Sequence, residues 1–125
     1  MMTFALWCVA VAAVLPIICT AIAKAGNLRQ FDNHAPREWL ARQQGYRARA
    51  NAAQQNSWEA FAVFTAGVLT AHIVGAPQDR VDQLALIFIV ARIAYIACYL
   101  ADWATLRSIV WTVGFGVSLA FFFLT

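Results

Sequence analysis

Residues Met2–Ala23, MTFALWCVAVAAVLPIICTAIA, run for 22 positions without a charged side chain, and Lys24 follows directly. A helix rises about 1.5 Å per residue and a bilayer's hydrocarbon core is about 30 Å thick, so about 20 apolar residues cross it. The run therefore predicts a membrane-spanning helix, with Pro16 as a kink. Ala21-Ile22-Ala23 has the look of a signal-peptidase site. A secretory signal, however, carries its positive charge before the apolar run, and here the only nearby charge comes after it, so the helix is read as retained.

The rest of the chain has the same character. Of 125 residues, 62% are hydrophobic and 12% charged, against about 45–50% and about 25% in an ordinary soluble domain. A soluble domain this small has too much surface to hide that apolar fraction. Composition thus excludes a soluble enzyme, a disordered chain and a disulfide-stapled secreted domain. A second span is expected over about 51–75, closed by Gly75-Ala76-Pro77, where Gly and then Pro end a helix. A third runs over about 80–101, with Asp79 and Asp82 suited to its opening turn, and a fourth over about 107–124. The polar loop 24–50 holds a turn at Asn33–Pro36 and, from Arg37 onward, a short interfacial helix with Trp39 and Leu40 at the membrane. The expected fold is one all-α integral membrane domain, a four-helix bundle.

A net charge of +3 would suit nucleic acid, but the placement of the cations points to membrane topology instead. With the N-terminus outside, the cytoplasmic loops hold Lys24, Arg29, Arg37, Arg42, Arg47, Arg49 and Arg107, and the outside holds only Arg80. By the positive-inside rule both termini lie outside and the long loop is cytoplasmic.

An ionisable group inside a span costs about 2.5–3.5 kcal/mol and needs a reason. The second span contains Gln54, Gln55, Asn56 and Glu59, with Asn56 and Glu59 on one face. The third carries Arg92, Tyr95 and Tyr99 at i, i+3 and i+7, and the fourth opens on Arg107-Ser108. Topology puts these groups in the cytoplasmic leaflet, with the outer halves of the spans almost purely apolar. Such residues can act as glue between helices, and Glu59 with Arg92 would make a neutralising pair. Clustering in one leaflet beside a basic loop points further, to a ligand site. Gly67, Ala71 and Gly75 repeat a small residue at every fourth position and predict a helix-packing face.

Other features carry less. Cys8, Cys19 and Cys98 lack a Cys-x-x-Cys pairing and are read as small buried hydrophobes. His34 and His72 match no metal-ligand spacing, and no metal is expected. Trp7, Trp39 and Trp103 are read as interface anchors.

The segment from Arg47-Ala-Arg-Ala-Asn51 to Asn56-Ser-Trp-Glu59-Ala-Phe61 resembles the second-helix signature of the MAPEG family, the membrane-associated proteins in eicosanoid and glutathione metabolism. Arg92-x-x-Tyr95-x-x-x-Tyr99 and Leu106-Arg107-Ser108 follow in the family's order. The resemblance implies a homotrimer that binds glutathione as co-substrate between adjacent subunits, in the cytoplasmic leaflet. It implies activity as a transferase or peroxidase on lipophilic electrophiles or hydroperoxides that arrive from the membrane lipids. By the same analogy Asn56 and Glu59 hold the glutathione backbone, and Arg92, Tyr95 and Tyr99 line the pocket. Arg107 stabilises the thiolate with Ser108 as helper. Where the family's glutathione-binding members usually carry a basic residue this chain has Gln55, and Arg49, on roughly the same face as Asn56, is expected to substitute. The expected location is a bacterial inner membrane with both termini periplasmic and no nucleic-acid partner. Two alternatives remain: a non-catalytic member that binds a lipid or another thiol, and a small proton-coupled exporter. Exporters of that type carry their acid in the first span, which here is charge-free.

Overall fold

The computed structural model describes residues 1–124 of the 125-residue chain. Its elements are α1 (Phe4–Lys24), α2 (Pro36–Ala41), α3 (Tyr46–Ile73), α4 (Gln78–Leu100) and α5 (Ala104–Ala120), closed by a 3-10 turn over Phe121–Phe123. The four long helices form an all-α bundle in which α1 packs chiefly on α3 and α5 chiefly on α4. Among the described residues, three stretches are long and apolar enough to cross a membrane: α1, α4, and α5 with its closing turn. The fourth long helix, α3, has 28 residues, or about 42 Å, and carries the polar groups in its first half.

Local chemistry sets the helix ends. Thr3 caps α1, its hydroxyl accepting from the Leu6 N–H at 3.2 Å. Gly45, at φ 63°, breaks the chain before α3, which therefore starts at Tyr46 rather than at the expected residue 51. The extra turn is held by its own arginines. Arg47 donates to the Ala23 carbonyl at 2.9 Å, and Arg49 donates to the Leu100 carbonyl at 3.3 and 3.2 Å. Those carbonyls belong to the last turns of α1 and α4, which lack intrahelical partners and sit at the negative dipole end. The turn into α5 places Asp102 at φ 61°, a left-handed conformation that Asp tolerates, and so α5 starts at Ala104.

The opposite end of the bundle is tied in a complementary way. Asp82 of α4 accepts from the Ala5 N–H in the first turn of α1 at 3.0 Å, placing an anion at that helix's positive end. His72 of α3 lies 2.9 Å from the Thr3 hydroxyl through Nε2 and 2.8 Å from the Val68 carbonyl through Nδ1. Phe121 packs on Phe64, so the closing turn after α5 lies toward this end of the bundle too.

Between the clamps the core is aromatic. Phe64 and Phe88 stack at 3.9 Å with an interplanar angle of 2°, and Phe121 meets Phe64 edge-on at 5.7 Å. Gly67 lets α5 approach α3, since a Cβ there would lie 2.8 Å from the Ser118 carbonyl oxygen and 3.0 Å from Phe121. The small-residue face thus consists of Gly67 and Ala71, both buried. Gly75, at φ 72°, lies past the end of α3 and terminates it. Trp39 and Leu40 were expected at the membrane, but they are buried against Ala23 and Ala50 of α1 and α3, with Phe31 edge-on to Trp39 at 5.1 Å. Trp7 and Trp103 do remain exposed. The three cysteines are free and buried.

Alanine gains about 1 kcal/mol over glycine in a helix interior, yet a backbone oxygen cannot move aside cheaply for a new methyl group. Gly67→Ala is therefore expected to lower the unfolding temperature in detergent. Gly116→Ala, whose Cβ would meet nothing within 4 Å, should leave it unchanged or raise it. A stabilised Gly67→Ala protein would mean that α3 and α5 do not approach so closely.

Candidate functional site

Arg92 sits in the middle of α4 and is only 3% exposed. A guanidinium so placed needs partners inside the protein. It donates to Ser57 Oγ of α3 at 3.1 Å and lies over the Tyr95 ring, 4.1 Å from its centroid. Ser57 is itself 3% exposed. The neutralising pair that Arg92 could have made with Glu59 thus gives way to a hydrogen bond to Ser57, the residue next to Asn56, turned about 100° round the helix from it. The contact then continues along α4: Tyr95 meets Tyr99 edge-on at 5.6 Å, and Arg107 of α5 lies over the Tyr99 ring at 4.5 Å. Two cations and two phenol rings form one row, each cation held against a π face.

Two adjoining cavities open along this row. The first, of about 200 Å³, is lined by Asn56 and Glu59 of α3, Arg92 of α4 and Trp111 of α5, and continues into apolar residues. The second, of about 440 Å³, is lined by Tyr95, Tyr99, Arg107, Ser108, Trp111 and Thr112. Trp111 lies on the wall of both. Seven of the residues singled out in the sequence, Asn56, Glu59, Arg92, Tyr95, Tyr99, Arg107 and Ser108, are thereby gathered from three helices around one tryptophan.

Asn56 contributes to the wall of the first cavity, and its amide oxygen is buried with no hydrogen-bond partner among the described residues. A buried acceptor left unmet costs about 1–3 kcal/mol, which a donor on a ligand would recover. Beside it stand a carboxylate and a guanidinium. The cavity can therefore accept an N–H or ammonium and also bind a carboxylate. In the second cavity a guanidinium beside a hydroxyl, Arg107 with Ser108, suits an anionic atom.

Arg49 does not join either lining. Its guanidinium is taken up by the Leu100 carbonyl, because the C-terminus of α4 lies closer to the first turn of α3 than the cavity does. Sequence reasoning also missed Ser57 and Trp111. Ser57 was signalled by its place inside Asn56-Ser57-Trp58-Glu59, at a depth where Arg92 needs an oxygen, and Trp111 by its position one turn after Arg107.

Comparison with known protein families shows that the MAPEG family matches residues 4–125. No curated protein matches the chain.

The arrangement separates Arg49 from the cavity residues in function. Arg49→Ala is expected to destabilise the fold by about 1.5–3 kcal/mol, the usual worth of a hydrogen bond to a charged group, in an SDS unfolding titration, and Arg49→Lys to recover part of the loss. An Arg49→Ala protein of unchanged stability would mean that its bond to the end of α4 carries no weight.

Proposed function

Since the chain belongs to the MAPEG family, a membrane protein family of glutathione and eicosanoid metabolism, we propose that it is a glutathione-dependent transferase or peroxidase acting on lipophilic substrates. The observation that carries this reading is the unmet, buried oxygen of Asn56, a residue that lines one cavity with Glu59 and Arg92. Glutathione offers a matching set: peptide N–H groups and an ammonium for Asn56 and Glu59, carboxylates for arginine, and a thiol. With its backbone along α3, the thiol extends past Trp111 toward Arg107 and Ser108.

The thiolate is the nucleophile, and a free thiol has a pKa of about 8.5. A guanidinium beside the sulfur favours the charged form, and the Ser108 hydroxyl adds a hydrogen bond to it. In conjugation the sulfur attacks an electrophilic carbon. A C–S bond forms, the leaving group departs with its electron pair, and the thiol proton goes to water. With a hydroperoxide the sulfur attacks the terminal oxygen and the O–O bond breaks, giving an alcohol and glutathione sulfenic acid. A second glutathione converts the sulfenic acid to the disulfide and water.

Assembly as a homotrimer fits the outer face of α3. Gln55, Glu59, Ala62, Ala66, Leu69 and Ile73 are exposed there along one stripe. Polar groups facing lipid at this depth are costly, and small residues permit close approach of a second helix. In this reading α3 is a fourth span, the protein sits in a bacterial inner membrane with both termini periplasmic, and the site lies in the cytoplasmic leaflet beside the basic loop.

Titrating reduced glutathione against the thermal unfolding of the detergent-purified protein tests this reading. A ligand at a hundred times its dissociation constant stabilises the fold by about 2.7 kcal/mol. The expected result is a saturable rise, absent in Glu59→Gln. Arg107→Ala should keep most of the rise but lose turnover at neutral pH. No shift up to tens of millimolar glutathione in the wild type would refute it.

A further inference from the structure

The first cavity is polar at only one end. Beyond Asn56, Glu59 and Arg92 its walls are Ala60 and Val63 of α3, Phe88 of α4, and Gly114 and Phe115 of α5. Val63 lies seven residues past Asn56, about 10 Å further along the helix. A tripeptide thiol gains nothing from such walls, and burying its polar groups there would be costly. Even Ser118, at the far end, offers no free donor, because its hydroxyl is turned back to the Gly114 carbonyl at 3.0 Å. Behind Ser118 the approach of α5 to Gly67 closes the slot.

Size and shape narrow the occupant. The cavity measures about 200 Å³ including its polar end, and an apolar cavity of about 150 Å³ suffices for benzene. Its walls are flat. Trp111 and Phe115 stack at 5.2 Å with an interplanar angle of 5°, and Phe88 is held against Phe64. Flat aromatic walls favour a ring over a branched aliphatic group. Gly114 leaves one wall as bare backbone, where a Cβ would fit at 3.8 Å from Ala91 Cβ and Arg92 Cδ. Alanine is thus accommodated, while a larger side chain would take up slot volume.

We propose that this slot seats the apolar part of the second substrate, a single aromatic ring or a group of that size, and that Gly114 sets the limit. The word substrate rests on the glutathione reading above. Trp111 lines both cavities and Arg107 lies seven residues before Gly114, about 10 Å along α5. A ring in the slot therefore holds its reactive substituent near Trp111, on the side facing the thiolate. Multi-ring substrates are left in the bilayer.

Tryptophan quenching in the detergent-purified full chain tests the slot. The probes are nitrobenzene, which has one ring, and 9-nitroanthracene, which has three with the same quenching group. The expected result is saturable quenching by nitrobenzene and only linear, partition-type quenching by 9-nitroanthracene. Gly114→Val and, from the facing wall, Ala60→Leu should each weaken nitrobenzene binding by at least about tenfold, and Gly116→Val should not. Linear quenching by both probes, equal saturable binding of both, or saturable binding indifferent to Gly114→Val and Ala60→Leu would overturn the proposal. Thermal titration with glutathione on the same samples separates the two claims. Nitrobenzene binding without a glutathione shift sinks the thiol reading and leaves the slot standing, whereas a glutathione shift without nitrobenzene binding overturns the slot alone.

Discussion

A guanidinium held out of water in the middle of an apolar helix must be met by the protein itself, and the arrangement around Arg92 follows from that demand. Ser57 supplies an oxygen at 3.1 Å and Tyr95 a π face at 4.1 Å. Gly114 of α5 lies over the aliphatic stem, where even a Cβ would stand in ordinary contact, 3.8 Å from Arg92 Cδ. Three helices are thus brought together around one cation at a fixed depth. The row continues through Tyr99 to Arg107, so the placement of Arg92 also sets the distance between the two cavities.

The bundle ends obey the same rule. Helix termini expose backbone groups that lack partners, and here they are met by charged side chains from neighbouring helices. Arg47 and Arg49 reach the carbonyl ends of α1 and α4, and Asp82 reaches the amide end of α1. Each pairing has the sign that the helix dipole favours. With both ends tied, the middle can keep a cavity with an unmet acceptor.

Apolar run lengths and the Gly75–Pro77 break made the four long helices legible, because the bilayer permits few alternatives to a helix. The gathering was legible as well: counting residues from the helix ends put Asn56, Glu59, Arg92 and Arg107 at related levels, and they line two adjoining cavities. What could not be read was rotation about each helix axis. Arg92 turns toward Ser57 rather than Glu59, and Arg49 turns to the end of α4 instead of the cavity, choices that depend on how neighbouring helices pack. Burial of Trp39 and Leu40 was hidden for a related reason: their partners, Ala23 and Ala50, lie on other elements. The clamp of Thr3, His72 and Asp82 joins residues 69 and 77 positions apart and left no local signal.

The central claim is that the polar convergence of α3, α4 and α5 is a thiol site and not only glue between helices. A crystal structure of the full chain grown in lipid with glutathione tests it most directly. The expected density places a ligand N–H or ammonium within hydrogen-bond distance of the Asn56 oxygen, about 2.7–3.2 Å, with the sulfur beside Arg107. A cavity filled by an acyl chain, or an Asn56 oxygen met by the protein itself with glutathione absent, would contradict it.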